Sequence, residues 1–178
     1  MTSGPVTSGP RPAGFGPASH LVGRFFGSLW PGGPSPGDEE WACSWLVAGE
    51  QVLWRRMSGP DRRHAVAVAR RAHHGGGEDR AVMAAALLHD VGKVESGLGP
   101  WRRAGATVLA MVLGRERAAR SDGRLGRYLR HDRLGAALLA AAGSDPLTVA
   151  WAGQHHLPAE RWTVPRPIGT LLKAADDD

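Results

Sequence analysis

Two histidines lie at matched distances on either side of a glycine-rich turn. His64 comes twelve residues before Gly76, the centre of a glycine triplet, and His89 comes thirteen residues after it. If both flanks are helical, the chain folds back as an antiparallel hairpin. At about 1.5 Å rise per residue, both histidines then lie about 18 Å from the turn. We therefore expect them to face each other at the open end of the hairpin.

A second pair of histidines repeats this arrangement around Ser144. His131 comes thirteen residues before Ser144 and His155 eleven residues after it. The adjacent His156 also fits the helical spacing, so the spacing does not choose between His155 and His156. The sequence thus predicts two hairpins whose open ends each carry a histidine pair.

Two carboxylates can join these histidines. Asp90 directly follows His89, and Asp176 falls four residues after Leu172 and eight after Ile168, on or beside an apolar helix face. An unpaired carboxylate there would be costly to bury, and a metal ion would neutralise that cost. Imidazole and carboxylate are the ligands that hold Mn, Fe, Co, Ni or Zn. The sequence therefore predicts a metal site built from several helices.

The elements that position these residues are all predicted to be helices. No run alternates between apolar and polar residues as a half-buried strand does, and no fixed-period repeat occurs. We expect an all-α bundle of antiparallel hairpins with an extra N-terminal helix. The expected units are a Pro/Gly-rich, partly disordered extension (1–37), an N-terminal helix packed on the domain (38–59) and a helical domain (60–178).

Three further segments carry apolar residues at helical spacing. The N-terminal helix has a stripe of Trp41, Trp45, Ala48 and Val52, which we expect in the core. Residues 19–30 and 101–113 are also helix candidates. We expect the first to pack on the domain's own surface, with contact to a membrane or a partner as the alternative.

Composition limits the compartment and the partners. A single cysteine excludes an internal disulfide framework, no signal pattern opens the chain, and no apolar run approaches the ~20 residues that span a bilayer. We expect a cytoplasmic protein without a transmembrane segment. The net charge of +5 comes mostly from scattered arginines, so nucleic acid is not expected as the main partner. Lys93 is one of only two lysines. A homo-oligomer stays open.

Taken in order, these residues resemble a known enzyme superfamily. His64, the run His89-Asp90-Val91-Gly92-Lys93, His131, His155-His156 and Asp176 resemble the HD-domain metal-dependent phosphohydrolases over about residues 60–178. The resemblance implies an HD-domain fold and a first metal ion on His64, His89, Asp90 and Asp176. In two-metal members, histidines matching His131 and His155 hold a second ion and the aspartate of the His-Asp pair bridges the two.

The resemblance implies hydrolysis of a phosphate ester or anhydride, with a nucleotide as the expected substrate, by a metal-bound hydroxide. Asp90 and Lys93 are the catalytic candidates, and one or two divalent ions are expected: Mn, Fe, Co or Ni, with Mg or Zn as further options. Lys93, Arg102, Arg103 and Arg127 are candidates for substrate phosphate. Two alternatives stay open, a di-iron oxygenase of the HD type and a non-catalytic nucleotide-binding regulatory module.

Overall fold

The computed structural model describes residues 32–96 and 131–177, with residues 95 and 96 described by their backbone only. Within these two ranges every regular element is a helix and no β-strand occurs, which confirms the predicted all-α class. The α-helices are α1 (Pro36–Ser44), α2 (Ala48–Arg56), α3 (Gly59–His74), α4 (Arg80–Leu88), α5 (His131–Ala141), α6 (Pro146–Gln154) and α7 (Arg166–Asp177). Two 3-10 helices, Val91–Ser96 and Ala159–Arg161, complete these ranges. The helix candidates at 19–30 and 101–113 lie outside the described residues.

The single helix predicted over residues 38–59 is two helices, α1 and α2, separated by a break at residues 45–47. Val47 is extended, and its backbone N–H donates to the Glu50 side chain at 2.9 Å, as a Glu at the third position of a new helix allows. The break changes which face of α2 points toward the core. Leu53 and Trp54 are buried, whereas Val52, which the sequence places in the core, is 56% exposed.

Two other members of the predicted stripe, Trp41 and Trp45, lie between α1 and α3. Trp41 and Trp45 are half-buried, and Ala48 is exposed. The Arg70 guanidinium lies 3.7 Å from the centre of a Trp41 ring, and the Trp45 and His73 rings lie 5.8 Å apart. These tryptophans therefore attach α1 to α3 from outside the centre of the core.

In the first hairpin, each of the helices α3 and α4 begins at an N-cap, and a glycine turn joins them. The Ser58 hydroxyl accepts from the N–H of Asp61 at 3.3 Å, and the Asp79 carboxylate accepts from the N–H of Ala81 at 2.7 Å. Both are N-caps that begin a helix. Between the helices, Gly76 has a φ of 97°, a conformation that favours glycine. The antiparallel hairpin is formed as predicted.

Helix α4 is the centre of the fold, since every residue from Ala81 to Leu88 is buried. A helix that is apolar all round belongs in such a position. Helices α3 and α6 pack against it, and the Thr148 hydroxyl of α6 donates to the Ala81 carbonyl at 3.0 Å in the interior. The end of α4 is consequently inside the protein, and His89 and Asp90 are buried with it.

The second hairpin, α5 and α6, also forms as predicted. Gly143 turns the chain with a φ of 74°. The Asp145 carboxylate accepts from the N–H of Leu147 at 2.8 Å, and Pro146 occupies the first helical position, where it needs no donor.

A close backbone approach joins the two hairpins. A Cβ placed on Gly92, in the 3-10 helix after α4, would lie 1.8 Å from the His131 carbonyl oxygen and 2.6 Å from the Gly135 nitrogen. Only a glycine permits this contact. The turn that carries Asp90 therefore lies directly against the beginning of α5.

Helix α7 runs antiparallel to α3. Near the glycine turn, the Leu171 side chain lies so close that a Cβ on Gly75 would be 2.5 Å from it. At the other end, Asp176 reaches His64. Leu172 and Ala175 are buried, and α7 covers the first hairpin from its turn to its open end. In the described ranges, no helix has the length and apolar character needed to cross a membrane.

Candidate metal centre

Asp90 lies at the junction of the two hairpins. Helix α4 ends at Leu88 with His89 as its C-cap, and the chain continues into the 3-10 helix that begins at Val91. Asp90 is 5% exposed. Because Gly92 presses this turn against α5, the carboxylate faces histidines of both hairpins.

The first group of ligand atoms surrounds one side of Asp90. The Nε2 atom of His89 lies 3.4 Å from Asp90 Oδ2 and 3.6 Å from Asp176 Oδ1. The Nε2 atom of His64 lies 3.2 Å from the same Asp176 oxygen, and the His64 and His89 rings are 5.5 Å apart. The hairpin geometry predicted for His64 and His89 is therefore present, and Asp176 joins it from α7.

The second group lies on the other side of Asp90. Its Oδ1 atom is 3.3 Å from His131 Nε2 and 3.8 Å from His155 Nε2. His156 belongs to the same group, since its Nε2 lies 3.2 Å from that of His131 and its ring is 3.9 Å from the His155 ring. The sequence leaves the choice between His155 and His156 open, whereas the structure places both beside Asp90.

In each group, nitrogen and oxygen atoms lie within one metal ion's reach. The four residues Asp90, His131, His155 and His156 offer atoms that all lie within 4.8 Å of one another, and so do His64, His89 and Asp90. Two ligands each about 2 Å from one ion stand roughly 3 to 4 Å apart. Asp90 belongs to both groups, so it is the residue that could bridge two ions.

The orientation of the buried imidazoles leaves lone pairs that face this centre. His89 Nδ1 lies 2.9 Å from the Ala86 carbonyl oxygen, and His155 Nδ1 lies 3.1 Å from that of Ala152. A carbonyl oxygen can only accept, so each Nδ1 carries a proton and donates it. In a neutral imidazole the Nε2 atom is then an unprotonated acceptor. Backbone carbonyls orient metal-binding histidines in this way.

Two of the inward-facing acceptors are buried without a donor. Among the described residues, neither Asp90 Oδ1 nor His155 Nε2 has a hydrogen-bond partner. An acceptor left unsatisfied in the interior costs about 1–3 kcal/mol, and more when it is charged. A cation between the two atoms would remove this cost. The residues present therefore fit a metal ion.

The ionisation states match this conclusion. Burial and the nearby His89 and His156 lower the pKa of His155 to about 2, so that its ring is neutral. Burial raises the pKa of Asp90, but the Lys93 ammonium and His89 outweigh burial and hold it well below its ordinary value. Burial also raises the pKa of the Asp176 carboxyl, but its bond with His64 and the charges of His89 and His64 together outweigh burial and lower that pKa.

His89 is shifted in the opposite direction. Burial lowers its pKa, but the Asp90 and Asp176 carboxylates outweigh burial and hold the pKa above its ordinary value. A metal ion on the Nε2 atom would take the place of the proton that this shift favours.

Lys93 is placed at the edge of the centre. Its ammonium contacts Asp90 Oδ2, and its side chain is partly exposed, whereas the Asp90 carboxylate is buried. The exposed residue His156 and the partly exposed His64 lie at the other edges. The buried side chains of His89 and His155 thus lie at the base of the candidate centre, with accessible groups around them.

All seven of the predicted ligand and catalytic residues come together in this centre, namely His64, His89, Asp90, Lys93, His131, His155 and Asp176. The predicted phosphate-binding arginines, Arg102, Arg103 and Arg127, lie outside the described residues. His73 and His74 are elsewhere, in the last turn of α3, as expected of histidines at a helix C-terminus.

No protein family model, curated protein or solved structure matches this chain.

Proposed function

We propose that this chain is an HD-type metal-dependent phosphohydrolase, which cleaves a phosphate ester or anhydride and takes a nucleotide as its expected substrate. The observation that carries the proposal is the position of Asp90 between two groups of histidines from separate hairpins. The resemblance of the motif order to the HD superfamily supports the same assignment.

The charge balance of the centre supports binding of divalent cations. Asp90 and Asp176 are both held ionised, whereas His155 is held neutral with its Nε2 lone pair facing inward. These residues would hold ions of Mn, Fe, Co or Ni. Such ions supply Lewis acidity toward phosphoryl oxygens and lower the pKa of water in contact with them.

The two proposed positions have different donor sets. His64, His89, Asp90 and Asp176 offer two imidazoles and two carboxylates, whereas Asp90, His131, His155 and His156 offer three imidazoles and one carboxylate. The first set therefore carries more negative charge, and the second is richer in nitrogen. Asp90, common to both, would keep the two positions at a fixed separation.

The surrounding side chains orient the phosphate. Lys93 brings a positive charge to the rim, where it can contact a phosphoryl oxygen while it holds the Asp90 carboxylate in place. Phosphate transfer to water needs no side-chain nucleophile when the substrate is positioned and its charge is neutralised. The chain's own task is thus to position the ligands and to supply Lys93.

A direct test is a screen of nucleotides and phosphate esters against the metal-free protein reconstituted with Mn²⁺, Co²⁺, Ni²⁺ or Fe²⁺, with phosphate release and oxygen uptake measured together. We expect metal-dependent phosphate release without oxygen uptake. Oxygen uptake with iron alone would identify the di-iron oxygenase instead, and tight nucleotide binding without turnover would identify a regulatory module.

The matched variants for this screen are Asp90→Asn and Asp132→Asn. Asp132 forms a second His-Asp pair with His131, but its carboxylate accepts from the N–H of Arg133 at 2.8 Å on the exposed side of α5. We expect Asp90→Asn to abolish phosphate release and Asp132→Asn to retain it. Equal activity in both variants would overturn the proposal.

A further inference from the structure

Helix α7, which carries Asp176, is attached to α3 at three successive levels. Leu171 packs against Gly75 beside the turn, Arg71 Nε donates to the Ala175 carbonyl at 2.7 Å, and His64 contacts Asp176 at the open end. The middle contact is directional and comes from a charged donor. Such bonds are shorter and stronger than neutral ones.

The Arg71 bond ends at the carbonyl immediately before the proposed ligand. Ala175 and Asp176 share a peptide plane, so a donor that fixes the Ala175 carbonyl also fixes where the Asp176 backbone begins. The buried residues Leu172 and Ala175 determine which face of α7 points inward, and the Arg71 bond adds a fixed point directly beside Asp176. A slip of one residue would move Asp176 by about 1.5 Å along the axis and turn it by about 100°.

We propose that Arg71 is a positioning residue that fixes the register of α7 on α3, and so holds the Asp176 carboxylate facing His64 and His89 in the metal centre. The proposal deepens, and rests on, the proposed function. Arg71 acts on the backbone and not on the carboxylate. Asp176 Oδ1 lies 3.2 Å from His64 Nε2 and 3.6 Å from His89 Nε2, distances that depend on this register.

The next residue, Arg70, provides a matched control. It lies on the same helix but contacts α1, where its guanidinium is 3.0 Å from Asp38 and covers Trp41. Replacing either arginine with methionine keeps most of the aliphatic chain and removes one positive charge. Only the change at Arg71 removes a bond to α7.

The experiment measures the equilibrium affinity for Co²⁺ in the full chain, as the wild type and as Arg71→Met, Arg70→Met, Asp176→Asn and Asp176→Asn/Arg71→Met. We expect the wild type to have two Co²⁺ sites. Arg71→Met should weaken one of them about tenfold, as loss of a supporting residue does, and this should be the same site that Asp176→Asn weakens. Arg70→Met should leave both affinities unchanged.

The double variant separates positioning from a general loss of stability. If Arg71 acts through Asp176, its replacement has no further effect on Co²⁺ affinity once Asp176 is Asn. If Arg71→Met lowered Co²⁺ affinity equally in the wild-type and Asp176→Asn backgrounds, the proposal would be overturned. Equal Co²⁺ affinities in Arg71→Met and Arg70→Met would overturn it as well. Neither result would contradict the proposed function. A wild-type chain that bound no Co²⁺ would overturn both.

Arg71→Lys keeps the test valid if Arg71→Met fails to fold. Lysine retains the charge but lacks the fixed Nε donor. We expect it to fold and to show an intermediate Co²⁺ affinity, together with a changed visible spectrum of the Co²⁺ held by Asp176. Wild-type affinity and spectrum in Arg71→Lys would contradict the role of the Nε bond.

Discussion

His155 Nε2 and Asp90 Oδ1 lie 3.8 Å apart in the interior, and neither has a hydrogen-bond partner among the described residues. The first atom belongs to a ring that stays neutral and the second to a carboxylate that stays charged. Two acceptors thus face each other across a space that a cation fits. The two atoms bring together the second hairpin, which carries His155, and the end of α4, which carries Asp90.

Replacement of Asp90 by asparagine should remove metal from both positions, since its carboxylate belongs to both groups. Loss of a supporting residue alone typically lowers metal affinity 10–100-fold, so loss of a shared ligand should lower it by more than about 100-fold. Metal content after dialysis, measured by elemental analysis, checks this. A variant that retained one full equivalent would show that Asp90 does not bridge.

Lys93→Met should lower turnover without removing the metal. Asp90 keeps its contact with His89 at 3.4 Å, whereas the rim loses its ammonium. Removing one donor to a transition-state charge costs about 100-fold or more in kcat. Lys173→Met is the matched control, because Lys173 pairs with Asp177 on the exposed side of α7. Steady-state kinetics should show a loss only in Lys93→Met.

His155 and His156 should both contribute to the second metal position. We expect His155→Gln to weaken that position more than His156→Gln, since His155 is buried and oriented by the Ala152 carbonyl. His74→Gln, a change of an exposed histidine in the last turn of α3, should have no effect. Titration of each variant with Zn²⁺ and Mn²⁺ measures its metal affinity and checks this order of effects. The three-imidazole set should also prefer Zn²⁺ over Mn²⁺.

Gly92→Ala should destabilise the fold, because the added Cβ would overlap the backbone of α5 at His131 and Gly135. Overpacking of this kind costs about 1–3 kcal/mol, with larger values when backbone must move. Urea unfolding provides the measurement. Gly37→Ala is the control: a Cβ there meets nothing within 4 Å, and alanine favours the helix. We expect no loss of stability in Gly37→Ala.

His155 should make the metal-free protein less stable as the pH falls below neutrality. Its pKa is about 2 in the folded chain and about 6.5 when unfolded. Between these values the unfolded chain binds a proton that the folded chain does not, so the free energy of unfolding decreases as the pH falls. Near pH 5 this contribution should reach on the order of 1–2 kcal/mol.

His89 contributes with the opposite sign. Its pKa is raised in the folded state, so its stabilisation is present below about 6.5 and is lost as the pH rises through the folded value. Urea unfolding at pH 7 and pH 5 in a chelator, on the wild type and on His155→Gln, isolates the His155 contribution. The wild type should lose more stability than His155→Gln on acidification. An equal loss in both would contradict the lowered pKa.

Much of the centre follows from sequence because helix geometry is regular. Similar counts on either side of Gly76 and Ser144 were enough to pair His64 with His89, and His131 with either His155 or His156. Both turns can be recognised from local signals, namely a glycine in the turn and an N-cap at the beginning of the next helix.

Helix breaks and contacts between segments that are far apart in the sequence could not be predicted from such counts. The break before α2 is stabilised by side-chain bonds that helical spacing does not reveal, from the Val47 N–H to Glu50 and from Gln51 to the Cys43 and Leu46 carbonyls, and it exposes Val52 where the helical stripe predicted burial. The approach of Gly92 to His131 and the bond from Arg71 to Ala175 join residues far apart in sequence. The inclusion of His156 depends on how α6 ends. The roles of the arginines at 102, 103 and 127 remain predictions.

The turns and the proposed ligands occupy opposite ends of both hairpins, which determines where the chain can change its length. A Cβ on Gly143 meets nothing within 4 Å, so residues added beside it extend a loop and leave the helices in register. One residue added within α5 would instead rotate His131 by about 100° relative to the rest of the helix. Insertions in related sequences should therefore collect at the second turn and avoid the helical segments between turn and ligand.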